Sequence, residues 1–241
     1  MGFRDQVAVV TGAGTGVGRA IALELARQGA VVCLVGRRLE ALDAVAGEAR
    51  VVSSRIVRLQ ADLTQDAAIG ALLAQLKEEV RQIDVLVHSA GVITIGSIDT
   101  ASMSDLDLQY RTNMRAPYAL TQALLPMLLR RQGQVAFINS SAGLSACRGV
   151  GLYAASKHGL RALADSLREE VNERGVRVLS VYLGRTATPM QARLHELENK
   201  PYRPEQLIQP EDVATAVLAL LDLPRTVEVT DVTLRPMRKP S

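Results

Sequence analysis

A phenol and an ammonium lie four residues apart in the segment Tyr153-Ala154-Ala155-Ser156-Lys157. Residues at this spacing share one face of a helix, so both groups are predicted to point into the same site. A phenol with a pKa near 10 is a poor acid–base catalyst at neutral pH, and a nearby cation lowers that pKa. Ser140 lies thirteen positions earlier, at the end of a predicted strand, where its hydroxyl can hold a carbonyl oxygen. A lone Tyr–Lys pair on an ordinary amphipathic helix is the structural alternative.

A glycine-rich turn at residues 11–18, TGAGTGVG, connects the first predicted strand to a predicted helix. Backbone N–H groups and the helix dipole in such a turn can hold a pyrophosphate. The spacing is neither a standard GxGxxG nor a P-loop, and a turn built only for tight packing explains it equally well when it is taken alone. The predicted phosphate contacts are Gly12, Thr15, Gly16, Val17 and Gly18.

The end of the second predicted strand indicates which dinucleotide would bind. Chains that prefer NAD(H) place a carboxylate there for the ribose 2′-hydroxyl. Here the strand ends at Gly36, and Arg37 and Arg38 follow. A guanidinium can pair with a 2′-phosphate, so the sequence predicts NADP(H), with Arg37 as the principal contact. Alternatively, both arginines are the solvated start of the next helix.

Short apolar runs alternate with longer helical patterns along the whole chain. This alternation predicts an α/β fold with a doubly wound parallel sheet of about seven strands and helices on both faces. The predicted strands are 7–11, 31–35, 55–60, 85–87, 135–139, 176–182 and 227–234, and the predicted helices are 18–28, 39–50, 67–80, 105–131, 152–174 and 211–221. We read residues 1–241 as a single nucleotide-binding domain. The proline-rich segment 189–210 is predicted to be an irregular substrate loop or lid.

Composition excludes several classes of protein. The chain is 48% hydrophobic and 22% charged, so it is not disordered. It has no Trp, 5 Tyr, 2 Phe and a net charge of +3 from scattered basic residues, which argues against a nucleic-acid partner. Two Cys without a CxxC spacing and three isolated His predict no metal site and a reduced, cytoplasmic protein. No apolar run is long enough to span a membrane.

In combination, these motifs resemble the short-chain dehydrogenase/reductase family in its short single-domain form, over residues 5–222. The TGxxxGxG turn, Ser140 and the YxxxK of Tyr153 and Lys157 match in order and spacing, and Asn113 matches the fourth catalytic residue. The resemblance implies a Rossmann-like fold and contacts to the cofactor. The further residues that it adds to the cofactor set are Asp62, Leu63, Ala90, Gly91 and Thr188, beside Tyr153 and Lys157.

The same resemblance implies a role for each catalytic residue. Tyr153 is the general acid in ketone reduction and the base in alcohol oxidation. Lys157 lowers the pKa of that phenol and binds the nicotinamide ribose, and Ser140 polarises the carbonyl. Asn113 holds a water that links Lys157 to solvent. The implied function is an NADP(H)-dependent oxidoreductase that interconverts a ketone or aldehyde and an alcohol. The alternative is a catalytically silent NADP(H)-sensing regulator on the same fold.

Two motifs depart from the family pattern. His88-Ser89 stands where the family has Asn-Asn, and Leu183-Gly184 stands where it has Pro-Gly. We interpret His88 as a hydrogen-bonded substitute for the missing Asn. Segments 93–97, 145–151 and 189–210 are predicted to line a moderately hydrophobic substrate site. Apolar faces on helices 105–131 and 152–174 predict a homodimer or homotetramer.

Overall fold

The computed structural model describes residues 2–50 and 55–237. The strands in these residues are β1 Val7–Thr11, β2 Val31–Gly36, β3 Ile56–Gln60, β4 Val85–His88, β5 Gln134–Ser140, β6 Arg177–Leu183 and β7 Asp231–Leu234. They form one central sheet in the order β3-β2-β1-β4-β5-β6-β7, and every neighbouring pair is parallel. This arrangement confirms the predicted sheet.

Helices cover both faces of the sheet, because alternate strand residues enter two separate cores. The helices are α1 Gly16–Arg27, α2 Leu39–Ala49, α3 Asp66–Glu79, α4 Met103–Tyr110, α5 Ala116–Arg131, α6 Gly151–Val171, α7 Pro189–Leu197 and α8 Pro210–Leu221. In β1, Ala8 and Val10 pack with residues of α1, α2 and α8, whereas Val7 and Val9 pack with residues of α3, α5 and α6. Strands buried on both faces need apolar side chains at every position, as the sequence shows.

The strand order reverses between β1 and β4, and the helices α1 and α5, which lie beyond these two strands in the chain, pack on opposite faces of the sheet. A doubly wound sheet binds its ligands at this point, beyond the carboxyl ends of the strands. The hydroxyl of Thr11 joins the two strands, because it accepts hydrogen bonds from Ser89 N and Ala90 N, both at 3.1 Å. The floor of the crevice is therefore fixed by a buried side chain at the end of β1.

The segment 189–210 is more regular than predicted from the sequence. It begins with helix α7 and contains a short 3-10 turn at Pro204–Gln206. Thr188 caps α7 by accepting a hydrogen bond from Gln191 N, and Pro189 occupies the first turn, where a missing N–H costs nothing. The prediction of irregular structure was wrong for these residues. Four prolines within the segment indicated a loop, but a Thr followed by Pro is also a common start of a helix.

The predicted helix 105–131 is interrupted in the structure. Between α4 and α5, the five residues Arg111–Arg115 form a π-helical turn. Such turns insert an extra residue and are frequent at functional sites. Here Thr112 and Asn113 are buried within it.

The last strand is shorter than predicted. β7 begins at Asp231, later than the predicted start at 227, because Val227 N bonds to Pro224 O in a turn.

Among the helices of the described residues, none combines the length and apolar character that a membrane crossing needs.

Candidate active site

A cavity of about 460 Å³ opens at the carboxyl edge of the sheet. Its walls include every residue of the predicted cofactor set, and also Ser140. The glycine turn, the strand ends and helix α6 thus meet around one space. The predicted cofactor residues on its walls are Gly12, Thr15, Gly16, Val17, Gly18, Arg37, Arg38, Asp62, Leu63, Ala90, Gly91, Tyr153, Lys157 and Thr188.

Close backbone packing shapes the glycine turn. Gly12 has a φ of +68°, and a Cβ there would lie 2.8 Å from Ala90 Cα and N. Gly16 has a φ of +57°, and a Cβ there would lie 3.0 Å from the Thr188 side chain. Only glycine fits these positions without displacing its neighbours. The turn after β1 is therefore pressed against the loop after β4 and the start of α7.

Tyr153 lies in the first turn of α6 and faces the end of β5, where Ser140 stands. Burial raises the pKa of the Tyr153 phenol above its usual value of 10, and a hydrogen bond with Ser140 acts in the opposite direction. The Ser140 hydroxyl also accepts a hydrogen bond from Ala142 N at 3.2 Å. Ser140 is thus held at the strand end, within reach of the phenol.

Lys157 is buried one helical turn beyond Tyr153. Its Nζ donates to Ile138 O at 3.1 Å and lies 5.8 Å from the centre of the Tyr153 ring. Burial lowers the pKa of the ammonium to about 8. From the sequence, Lys157 was expected to lower the pKa of the phenol. In the structure burial dominates and the pKa of Tyr153 is raised.

Asn113 lies behind the cavity wall rather than on it. Its Oδ1 accepts from Val92 N at 2.8 Å, and its Nδ2 donates to Val92 O at 2.8 Å and to Ser156 Oγ at 3.0 Å. The amide therefore ties the loop after β4 to α6. Both Nδ2 hydrogens have protein partners, so a water held by Asn113 would bind its backbone oxygen or the second lone pair of Oδ1.

Gly91 is the point at which this loop meets the catalytic side chains. A Cβ on Gly91 would lie 3.5 Å from Asn113 Oδ1 and 3.8 Å from Lys157 Nζ. The loop that carries Ala90 and Gly91 therefore lines the cavity and packs against the side chains of Asn113 and Lys157.

Asn139 is a site residue that was not predicted from the sequence. It is 3% exposed, its Oδ1 accepts from Ser140 N at 2.8 Å, and its Nδ2 donates to Lys157 O at 3.2 Å. It therefore positions Ser140 and anchors α6 at Lys157. A polar residue inside an otherwise apolar strand is the signal that could have found it, since buried amides need partners.

His88 lies at the end of β4, outside the cavity lining. Its ring stacks on Phe137, and its Nε2 lies 2.8 Å from Thr121 Oγ1, on α5. Burial lowers the pKa of His88 to about 3, so the ring is neutral at physiological pH. His88 thus fastens β4 to α5 by a hydrogen bond.

The outer end of the cavity is formed by the segments that follow β2 and β3. Gln60 Nε2 donates to Arg37 O at 2.9 Å and fixes the backbone there. Neither the Arg37 nor the Arg38 guanidinium pairs with another residue of the described chain. Asp62 accepts from Thr64 N and Oγ1 at 3.0 and 2.8 Å, and the backbone bond is the main reason that its pKa is lowered.

The opposite end of the cavity lies beyond Tyr153. Residues of all three segments that were predicted to wall the substrate site line this end. The apolar ones are Ile93, Val150, Met190 and Leu194, and the polar or charged ones are Cys147, Arg148, Gln191 and Glu198. Arg185 joins them from the turn after β6.

Comparison with known proteins places these features in a family. The family model described as short chain dehydrogenase matches residues 6–199. An uncharacterized oxidoreductase of Staphylococcus epidermidis is 32% identical over 97% of this chain and 98% of its own length. Glycine betaine reductase ATRR of Emericella nidulans is 33% identical over 98% of this chain, which spans only 19% of that much longer protein.

Solved structures agree with the fold. An alcohol dehydrogenase from Thermococcus sibiricus complexed with 5-hydroxy-NADP superposes with a TM-score of 0.88, at 27% identity over 99% of this chain and 100% of its own. A metagenomic short-chain oxidoreductase in complex with NADP gives a TM-score of 0.85, at 32% identity over 98% and 99% of the two chains.

Proposed function

Because the chain belongs to the short-chain dehydrogenase family, whose matched relatives are oxidoreductases, we propose that it interconverts a ketone or aldehyde and an alcohol with NADP(H). The observation that carries the proposal is the meeting of Ser140, Tyr153 and Lys157 on the walls of the cavity that also contains the glycine turn. A protein that only sensed a nucleotide would have no use for a hydroxyl, a phenol and an ammonium at the far end of its cofactor cavity.

The residues present fit the cofactor. The glycines of the turn line the cavity and carry no side chains, as close approach to a pyrophosphate requires, and α1 begins within the turn, at Gly16. Arg37 and Arg38 line the same cavity, their guanidinium groups have no ion-pair partner among the described residues, and no carboxylate ends β2. This arrangement supports NADP(H) over NAD(H), and the two solved relatives described above were complexed with NADP or a derivative of it.

The bound cofactor supplies the hydride, and the chain manages the carbonyl oxygen and its proton. The hydroxyl of Ser140 orients the oxygen and stabilises the charge that develops on it. Tyr153 gives its phenolic proton to that oxygen in reduction and takes it back in oxidation. The raised pKa of the phenol keeps the proton in place until the reaction.

Lys157 and Asn113 support this exchange from behind the phenol. With a pKa of about 8, Lys157 remains largely protonated at neutral pH and can return a proton toward Tyr153. Asn113 positions the loop that carries Ala90 and Gly91 by holding Val92 at both its N–H and its C=O. Asn139 anchors α6 so that the phenol and the ammonium keep their places.

The proposal is tested by a panel of ketones, aldehydes and secondary alcohols with NADPH or NADP⁺. Cofactor absorbance is followed for the wild type and for Tyr153→Phe, and NADPH binding is measured for both by fluorescence. Turnover by the wild type but not by Tyr153→Phe, with NADPH bound by both, supports the assignment. Tight NADPH binding with no turnover across the panel would instead favour the nucleotide-sensing alternative.

The cytoplasmic location stays a prediction. Cys33 and Cys147 are both unpaired thiols, the first buried and the second exposed. This state is the usual one in reducing compartments.

A further inference from the structure

The charged residues at the substrate end of the cavity do not cancel. Apart from Lys157, these residues are Arg148, Arg185 and Glu198. Arg185 Nη2 binds both carboxylate oxygens of Glu198, at 2.9 and 3.1 Å, and Lys200 Nζ lies 3.0 Å from Glu198 Oε2, so both cations here share one carboxylate partner. Arg148 makes no hydrogen bond or ion pair with any residue in the described part of the chain. Its guanidinium is therefore the cavity-lining cation at this end that has no carboxylate partner among the described residues.

The backbone presents Arg148 at the cavity rim in a fixed turn. Val150 N bonds to Cys147 O at 3.4 Å, and Gly149 has a φ of +81°, the value that the third position of a type II turn requires. Gly149 O accepts a hydrogen bond from Gly96 N at 2.9 Å, which fastens the turn to the loop after β4. Arg148 therefore occupies the corner of a braced turn, three residues before α6 begins and five before Tyr153.

Apolar side chains line part of the cavity beside Arg148. Val150 is the last residue of the turn, and Met190 and Leu194 line the cavity from α7. A ligand that fits this arrangement has a short apolar stem with a negative charge at its end. A guanidinium matches a carboxylate through two parallel, charge-assisted hydrogen bonds.

We propose that the substrate is a carbonyl compound, or the corresponding alcohol, that carries a carboxylate on a short apolar chain, and that Arg148 binds this carboxylate. This inference rests on the proposed oxidoreductase function. The carboxylate at the rim fixes one end of the substrate, and the reacting carbonyl reaches Ser140 and Tyr153 at the other. Arg148 thereby determines specificity without taking part in the chemistry.

The test compares keto acids with their uncharged esters. The probes are 4-oxopentanoate and 5-oxohexanoate and the methyl ester of each, with NADPH as reductant. We expect the wild type to favour at least one acid over its ester about tenfold or more in kcat/KM. Arg148→Gln should lose ten- to hundredfold on that acid, at least tenfold more than on the ester, whereas Arg148→Lys should retain part of the preference.

Controls separate Arg148 from general charge effects and from the cofactor. Arg130 is an exposed arginine at the end of α5, away from the cavity, and Arg130→Gln should leave the acid-to-ester ratio unchanged. The affinity of Arg148→Gln for NADPH, measured by fluorescence, should equal that of the wild type. A loss of NADPH affinity would overturn the inference, because Arg148 would then contact the cofactor.

A calorimetric titration of each acid and ester against the NADPH-saturated protein gives a readout that does not need turnover. If no carbonyl compound of any kind is reduced, the proposed oxidoreductase function fails, and the calorimetric preference still decides the role of Arg148. Equal binding and turnover of acids and esters, or an acid preference that survives in Arg148→Gln, would overturn the inference.

Discussion

Lys157, at the centre of the site, is a charged side chain that is buried in the folded protein. Lys157 is 4% exposed, and its ammonium has a backbone carbonyl as its hydrogen-bond partner and no carboxylate among the described residues. Burial without a counter-ion disfavours the protonated form, which is why the pKa falls from 10.5 to about 8. The side chain that a catalytic role requires is therefore a source of instability in the folded protein.

The first prediction follows from that cost. Because the folded state binds the proton less tightly, the penalty is complete below pH 8 and disappears as the pH rises from about 8 to 10.5. Lys157→Met should therefore raise the free energy of unfolding by about 2 kcal/mol at pH 7, after allowing for the lost hydrogen bond. The gain should shrink toward pH 10.

Urea unfolding of both proteins at pH 7 and pH 10 measures this difference. Lys77→Met, at an exposed position of α3, serves as a control and should change the unfolding free energy by less than about 0.5 kcal/mol. A Lys157→Met protein that is less stable than the wild type at pH 7 would refute the argument.

The second prediction concerns the cofactor. Arg37→Ala should weaken NADPH binding about ten- to hundredfold and leave NADH binding nearly unchanged, because a charge-assisted contact to the 2′-phosphate is worth about 1.5–3 kcal/mol. Fluorescence titration of both cofactors measures it. NADH binding as tight as NADPH binding in the wild type, or an unaltered preference in Arg37→Ala, would contradict the assignment.

Among the elements, the turn after β1 depends on two close approaches. A side chain on Gly12 would collide with the backbone of Ala90 at 2.8 Å and would hold an unfavourable φ of +68°. The turn and the loop after β4 would have to separate, and the cofactor crevice would change shape. Stability and cofactor binding are thus coupled at this position.

We therefore predict that Gly12→Ala lowers the unfolding free energy by at least about 2 kcal/mol and weakens NADPH binding. Gly47 provides the matched control, because it lies on α2 and a Cβ there would have no neighbour within 4 Å. Gly47→Ala should stabilise the protein by about 0.5–1 kcal/mol. Thermal or urea unfolding compares the two, and equal effects would show that packing at Gly12 does not matter.

The sequence predicted these elements with uneven success. The parallel sheet with both faces covered follows from the apolar runs, since each run must be buried on two sides. The π turn at Arg111–Arg115 has no comparable local signal, because Asn113 is held there by Val92 and Ser156, partners far away in sequence. Helix α7 did carry a signal, the cap at Thr188, which the many prolines obscured.

The whole molecule leaves some apolar surface uncovered. The predicted stripe on α6 is largely used internally, since Leu160, Ala164 and Val171 pack in the core. On α4 and α5, by contrast, Met103 is 72% and Tyr118 50% exposed. We propose that the exposed apolar side chains of α4 and α5, Met103 and Tyr118 among them, contribute to the interface of a homodimer or homotetramer, as the family resemblance implies.

Light scattering at micromolar concentration should accordingly return two or four times the chain mass of 25.9 kDa. Tyr118→Glu should shift the protein toward the monomer without changing its circular dichroism spectrum, because the side chain lies outside the core. A wild-type mass near that of one chain would contradict the proposed assembly.

The most direct test of the central claim is the rate of NADPH oxidation in the presence of a reducible ketone by the wild type and by Tyr153→Phe. The variant lacks only the phenolic oxygen and its transferable proton, so we predict near-normal NADPH binding with turnover reduced about a hundredfold or more. A Tyr153→Phe protein that keeps near-full activity on the same ketone would contradict the proposed mechanism.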